Sequence, residues 1–184
     1  MDKATTMQLA DAADRMGRLV AAVPADQWSS PTPCADWNVR DLVAHVVTGT
    51  ARFTAAITGA PQAPPPDSAD LPGAFARNSA ALVSAFGTPG ALEKIVDVPF
   101  GRVPGAVALH LQLTEMLVHG WDLARATGRR PDFPDDLAAQ ELAFTVQALS
   151  SVPPERSPFA PPQPIPDTAP ALDRLAAMLG RSVP

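Results

Sequence analysis

Apolar positions recur at helical spacing along most of the chain, and prolines or glycines close each stretch. From Thr5 to about Val23, the residues Met7, Leu9, Ala10, Ala13, Met16, Val20 and Val23 form an apolar stripe beside Asp11, Asp14, Arg15 and Arg18, and Pro24 ends it. Ser29 to Trp37 carries two prolines within three residues, which a helix cannot accommodate, so it reads as loop. Asn38 suits an N-cap, with Asp41 at the third helical position to receive a backbone N–H. A second helix is therefore predicted from Val39 to about Thr58, closed by Gly59. Residues 60–73 are Pro-rich and too long for a tight turn, which makes them a crossover to a third helix from about Ala74 to Phe86.

Leu92 to Val103 alternates and holds β-branched residues, which fits a short strand or extended pair. Pro104 suits the first position of a fourth helix running to about Thr127, with Gly128 as its C-terminal cap. Pro134 opens a fifth helix to about Leu149. Residues 152–170 are again Pro-rich and should wrap the surface in extended form, and Ala171 to Leu179 makes a closing helical stub. Five helices with almost no strand predict an all-α bundle around one core, with residues 1–184 as one domain.

Composition narrows the partners. The chain has 184 residues, 46% apolar and 18% charged, which argues against disorder. Its net charge is −5 and it lacks a basic cluster beyond Arg125, Arg129 and Arg130, which read as cations at a helix C-terminus. Nucleic acid and anionic membrane are thus not expected as partners. No apolar run approaches a bilayer span, and Met1-Asp2-Lys3 does not start a secretory signal. With Cys34 as the single cysteine, the expected compartment is the cytoplasm. An exposed apolar flank leaves a homodimer as a weaker expectation.

The candidate chemistry lies in three ionisable residues inside apolar helices: His45, Glu115 and His119. Burying such groups costs several kcal/mol, on the order of 2–7, unless they find partners. Taking about 100° per residue with Glu115 at zero, His119 lies about 40° away, Asp122 about −20° and Gln112 about 60°. Leu113, Leu117, Trp121 and Ala124 fall on the opposite side, so the polar face should line an internal cavity. Two histidines and a carboxylate from two packed helices make a three-ligand site for a divalent metal with one position open. His110 falls about 180° from His119 and should not join it. Asp41, one turn before His45, is placed to fix that imidazole, and Arg52, two turns after it, to neutralise a substrate carboxylate. The same residues also fit a plain i,i+4 ion pair and a hydrogen-bonded core histidine. Cys34 fits either a soft fourth ligand or a small buried hydrophobe, and Trp37 and Trp121 fit core or pocket wall.

Two long motifs carry a family resemblance. Thr32-Pro-Cys34-Ala-Asp-Trp37-Asn-Val-Arg40-Asp41-Leu-Val-Ala-His45 and Glu115-Met-Leu-Val-His119-Gly-Trp121-Asp122-Leu-Ala-Arg125-Ala-Thr-Gly128 resemble the metal-binding domain of mycothiol-dependent maleylpyruvate isomerases, in the DinB-like superfamily. The segment from Phe159 through Gly180 is similar to the close of an actinobacterial branch of that group. The resemblance implies a DinB-like four-helix bundle with extra C-terminal helices and a long crossover after helix two. It also implies a divalent metal, usually zinc, on His45, Glu115 and His119. The isomerases carry a further C-terminal domain. The chain ends at Pro184, soon after the bundle, so isomerisation of maleylpyruvate as such is not expected.

The expected activity is thiol-dependent transfer or isomerisation, with zinc (nickel or another divalent metal as alternative) activating a small-molecule thiol, mycothiol, toward an electrophilic substrate. Arg52 is the candidate for holding an anionic substrate group, and Asp122 or Gln112 for orienting one. A metal-binding or stress-response protein without turnover, its metal structural or sensory, is the alternative. Metal-assisted hydrolysis ranks last, because Glu115 as a ligand leaves no obvious general base.

Overall fold

A computed structural model of the chain describes residues 4–34, 37–62, 64–99, 101–150, 152–153, 157 and 159–183. Ala35 and Asp36 of the predicted loop, Phe100 of the predicted extended pair and residues 154–156 and 158 of the predicted wrapping segment lie outside the described residues.

The first helix, α1 (Thr6–Ala21), starts at a capping box, with Thr5 Oγ1 accepting from the Gln8 amide at 3.2 Å and Gln8 Oε1 from the Thr5 amide at 2.8 Å. Its buried stripe is Leu9, Ala12, Ala13, Met16, Leu19 and Val20. Met7, expected in that stripe, is 80% exposed, because two residues before Leu9 is about 200° around the helix. A single 3₁₀ turn, Ala25–Gln27, follows Pro24. Helix α2 (Val39–Thr58) has the predicted bounds, the predicted Asn38 cap and, at Gly59, a left-handed residue with φ 75°.

Helix α3 (Leu71–Phe86) begins three residues earlier than the apolar pattern predicts. Asp70 accepts from the Gly73 amide at 3.1 Å, and Pro72 sits in the first turn, where a missing N–H leaves nothing unpaired. Strands β1 (Ile95–Val98) and β2 (Gly101–Pro104) form an antiparallel hairpin with Ile95 opposite Pro104. Pro104 therefore closes β2 rather than opening the next helix. Helix α4 (Gly105–Ala126) follows directly, and its first amide donates to Lys94 O at 2.7 Å. Helices α5 (Asp135–Leu149) and α6 (Ala171–Met178) complete the order.

Helices α1 and α2 each pack on both α3 and α4, so α1 and α2 stand at opposite corners of a four-helix bundle. The pair α5 and α6 packs on itself and covers the outer side of α4. Surrounded in this way, α4 is buried along nearly its whole circumference, from Ala108 to Ala124. Trp121 donates its indole N–H to Asp173 on α6 at 2.7 Å, and the Arg125 guanidinium lies 5.0 Å over the Trp121 ring. Gly120 lets α4 approach Phe133, because a Cβ there would come within 2.5 Å of that ring. Among the described residues, no helix is long and apolar enough to cross a membrane.

Candidate metal centre

His45 projects from the middle of α2 toward α4, where Glu115 and His119 stand one turn apart on the same face. Glu115 Oε2 lies 3.2 Å from His45 Nε2 and 3.3 Å from His119 Nε2. The three candidate donor atoms all fall within 4.8 Å of one another. The cluster is graded in depth: the side chains of His45, Glu115 and His119 are 40%, 22% and 6% exposed. The Trp37 ring sits 4.4 Å from the His45 ring and 5.9 Å from that of His119, so it forms a wall over both.

One carboxylate oxygen facing two ring nitrogens requires either an N–H on each nitrogen or a cation between them. Burial alone would raise the Glu115 carboxyl, but the hydrogen bonds from His119 and His45 and their charge hold it well below the usual carboxylate range. Burial likewise disfavours the His119 imidazolium, yet hydrogen bonds to Asp122 and Glu115 outweigh it and push its pKa up to about 9. The pocket is thus built to stabilise a cation.

Behind His119 is a second pair of buried charges. His119 Nδ1 lies 3.1 Å from Asp122 Oδ2, and Asp122 is fully enclosed. Arg181, just beyond α6, donates Nη2 to Asp122 Oδ2 at 2.8 Å and Nε to Oδ1 at 3.2 Å. Arg181 is itself only 7% exposed. Sequence reasoning put Asp122 on the correct face but missed Arg181. The only signal for it is an arginine placed just after an apolar helix, and its partner is 59 residues away.

The other predicted residues fall as follows. Asp41 accepts from the Asn38 amide at 3.2 Å and closes the capping box of α2, and its predicted bond to His45 is not formed. Helix side chains lean toward the N-terminus, which aims Asp41 back at the otherwise unpaired Asn38 amide and away from His45 one turn on. Arg52 shares a recess of about 350 Å³ with Trp37, Asp41, His45, Thr48 and Gly49. Gln112 is buried. Cys34 is half-buried and packs against the core, outside the three-residue cluster. His110, as expected, faces away: it bonds Glu141 on α5 at 2.9 Å and stacks on Phe144.

The donor set fits zinc. Ligand atoms about 2.0–2.2 Å from a tetrahedral zinc lie roughly 3.3 Å apart, close to the two separations from Glu115 Oε2. With Nδ1 of His119 turned to Asp122, Nε2 is the nitrogen that faces the cluster and would offer its lone pair to a metal on losing its proton, the arrangement that orients a metal-bound imidazole. Two imidazoles and one carboxylate also leave a coordination position for an exogenous ligand.

Comparison with known proteins gives the chain its relatives. The model of the family described as mycothiol maleylpyruvate isomerase N-terminal domain matches residues 9–124. The uncharacterized protein Rv0738 of Mycobacterium tuberculosis is 38% identical over 176 residues, 94% of each chain. A second protein of that organism, Rv0036c, is 31% identical over 144 residues, 62% of this chain and 53% of its own. Among solved structures, the crystal structure of the mycothiol-dependent maleylpyruvate isomerase superposes with a TM-score of 0.63 at 18% identity, covering 79% of this chain and 70% of that one. That likeness establishes the DinB-like bundle as the fold. By a match spanning α1 through most of α4 and a relative of nearly equal length, the chain belongs to the mycothiol maleylpyruvate isomerase N-terminal domain family.

Proposed function

We propose that this protein binds one zinc ion through His45, Glu115 and His119 and transfers a small-molecule thiol to an electrophile. The observation that carries the reading is the convergence of two imidazole nitrogens on one carboxylate oxygen, 3.2 and 3.3 Å away, at the partly open end of a buried charge network. Bound there, zinc (or nickel, as the alternative) supplies the Lewis acidity that turns a thiol into a thiolate at neutral pH. Mycothiol is the thiol named for the solved protein of this fold, and the family supports it as the thiol used here.

The chain's own residues do the remaining work. Asp122, held by Arg181, keeps the His119 ring in one tautomer and orientation. Trp37 lies against both imidazoles and limits water on that side. Arg52 stands on the rim of the His45 recess, where it can hold an anionic or hydroxyl-rich part of a bound molecule. Asp122, enclosed between Arg181 and His119, acts in this reading as a positioning residue.

The test is adduct formation between mycothiol and 1-chloro-2,4-dinitrobenzene, followed by absorbance, with zinc-loaded and zinc-stripped protein. A rate that needs both protein and zinc, and that disappears in His45→Ala, supports the transferase. A second reading has its own observation: Arg181, Asp122 and His119 tie the chain's end to α4, so the same metal could simply staple the bundle. Saturable zinc binding that raises the melting temperature without any thiol chemistry would favour that structural or sensory role.

A further inference from the structure

Glu115 also borders a second space that the thiol chemistry leaves unassigned. A cavity of about 570 Å³ lies between α4, α5, the hairpin and the C-terminal segment, walled by Val107, Leu111, Phe144, Leu149 and Phe159. Its volume is within the range of small-molecule sites, roughly 300–1,000 Å³. Among the described residues lining it, Glu115 is the one that carries a charge.

Thr145 distinguishes this cavity from a packing defect. It lines the space, is 4% exposed, and its hydroxyl has no hydrogen-bond partner among the described residues. Neighbouring Thr114 gives its hydroxyl to Glu141. Thr48, Thr50, Thr54 and Thr127 return theirs to the carbonyl four residues back. A buried hydroxyl left unpaired is unfavourable, so Thr145 is set to meet something inside the cavity.

We propose that this cavity is the pocket for the electrophile, and that the electrophile is an apolar molecule with a single carbonyl oxygen accepting from the Thr145 hydroxyl. The proposal rests on the thiol-transfer reading above. The two recesses then divide the work. The polar one beside His45 and Arg52 takes the hydrophilic thiol, and the apolar one beside Glu115 takes its acceptor. A dicarboxylate is disfavoured in the second, where among the described residues no cation lines the wall to pair with its charge. For an α,β-unsaturated ketone the reaction balances without a co-reactant. The thiol sulfur bonds to the β-carbon, the alkene electron pair moves toward the carbonyl, and the thiol's proton ends on the α-carbon. Thr145 donates to the carbonyl oxygen as negative charge gathers there.

The test is calorimetric titration of the full-length protein with dihydrochalcone, a saturated aryl ketone that cannot react with thiols. Zinc-loaded and zinc-free protein should both bind it. Ala148→Trp, at an exposed position on the cavity wall, should weaken binding at least tenfold without moving the melting temperature. Thr145→Val should weaken the ketone by about five- to tenfold and leave 1,3-diphenylpropane, which lacks the oxygen, unchanged. Failure to bind the ketone, equal loss for both ligands in Thr145→Val, or displacement of the ketone by maleate would overturn the proposal. Ketone binding is measured without thiol, so a protein that takes no zinc but binds dihydrochalcone as described would sink the transferase reading and keep the pocket.

Discussion

Replacing Arg181 with methionine tests the most consequential contact that joins fold to site. The substitution keeps most of the side chain's apolar volume and removes both donors to Asp122, at 2.8 and 3.2 Å. Asp122 is 0% and Arg181 7% exposed, so the carboxylate left behind cannot simply turn to water. Removing one partner of a buried ion pair costs about 3–5 kcal/mol. In a chain of this size each kcal/mol shifts Tm by about 2–4 °C, which puts the expected loss at about 6–20 °C. Asp122 would also hold the His119 ring less firmly, and zinc affinity should fall by about 10-fold or more. Urea denaturation gives the first quantity and competitive chelator titration the second. Pairing the variant with Asp122→Asn in a double-mutant cycle separates the pair from simple loss of packing. A loss under about 1 kcal/mol with unchanged zinc affinity would mean that Asp122 does not depend on Arg181.

Three further expectations follow from the same geometry. In zinc-free protein, His119 titrates at about 9 when folded against 6.5 when unfolded. The folded state holds that proton more tightly, so its stabilisation is complete below about pH 6.5 and is lost as pH rises through 9. Urea midpoints should fall across that window and fall less in Asp122→Asn, whereas a flat profile would contradict the pairing. Glu141→Ala removes the buried carboxylate that pairs His110 and receives the Thr114 hydroxyl, and should cost about 3–5 kcal/mol by chemical denaturation with zinc binding intact. Gly59→Ala places a side chain at φ 75°, and a destabilisation of about 1 kcal/mol is expected, with zinc content unchanged.

Much of the fold is legible in the sequence because its signals are local. Asn38 with Asp41 and Gly59 punctuate α2 so sharply that its bounds follow directly, and the alternation after Leu92 marks the hairpin. Apolar spacing alone does not fix where an element starts or which face a single residue takes. The start of α3 depends on the Asp70 cap and Pro72, and Met7 fell on the outer face despite its hydrophobicity. The site divides in the same way. Glu115, His119 and Asp122 share one helix face, so periodicity alone finds them, and His45 stands out as the ionisable residue inside the apolar stretch of α2. The contacts that cross the fold, Arg181 to Asp122, His110 to Glu141 and Trp37 over His45, depend on which helices become neighbours. Asp41 illustrates the converse: a plausible contact one turn along the same helix lost to the capping box at its N-terminus.

The proposed centre is a zinc ion on His45, Glu115 and His119 with one position open to a thiol. X-ray absorption at the zinc edge tests it most directly, on protein loaded with one equivalent of zinc, before and after adding mycothiol. Nitrogen and oxygen scatterers alone before addition, and one sulfur at about 2.3 Å afterwards, are the result expected. No zinc retained, or a coordination shell that does not change when thiol is added, would contradict it.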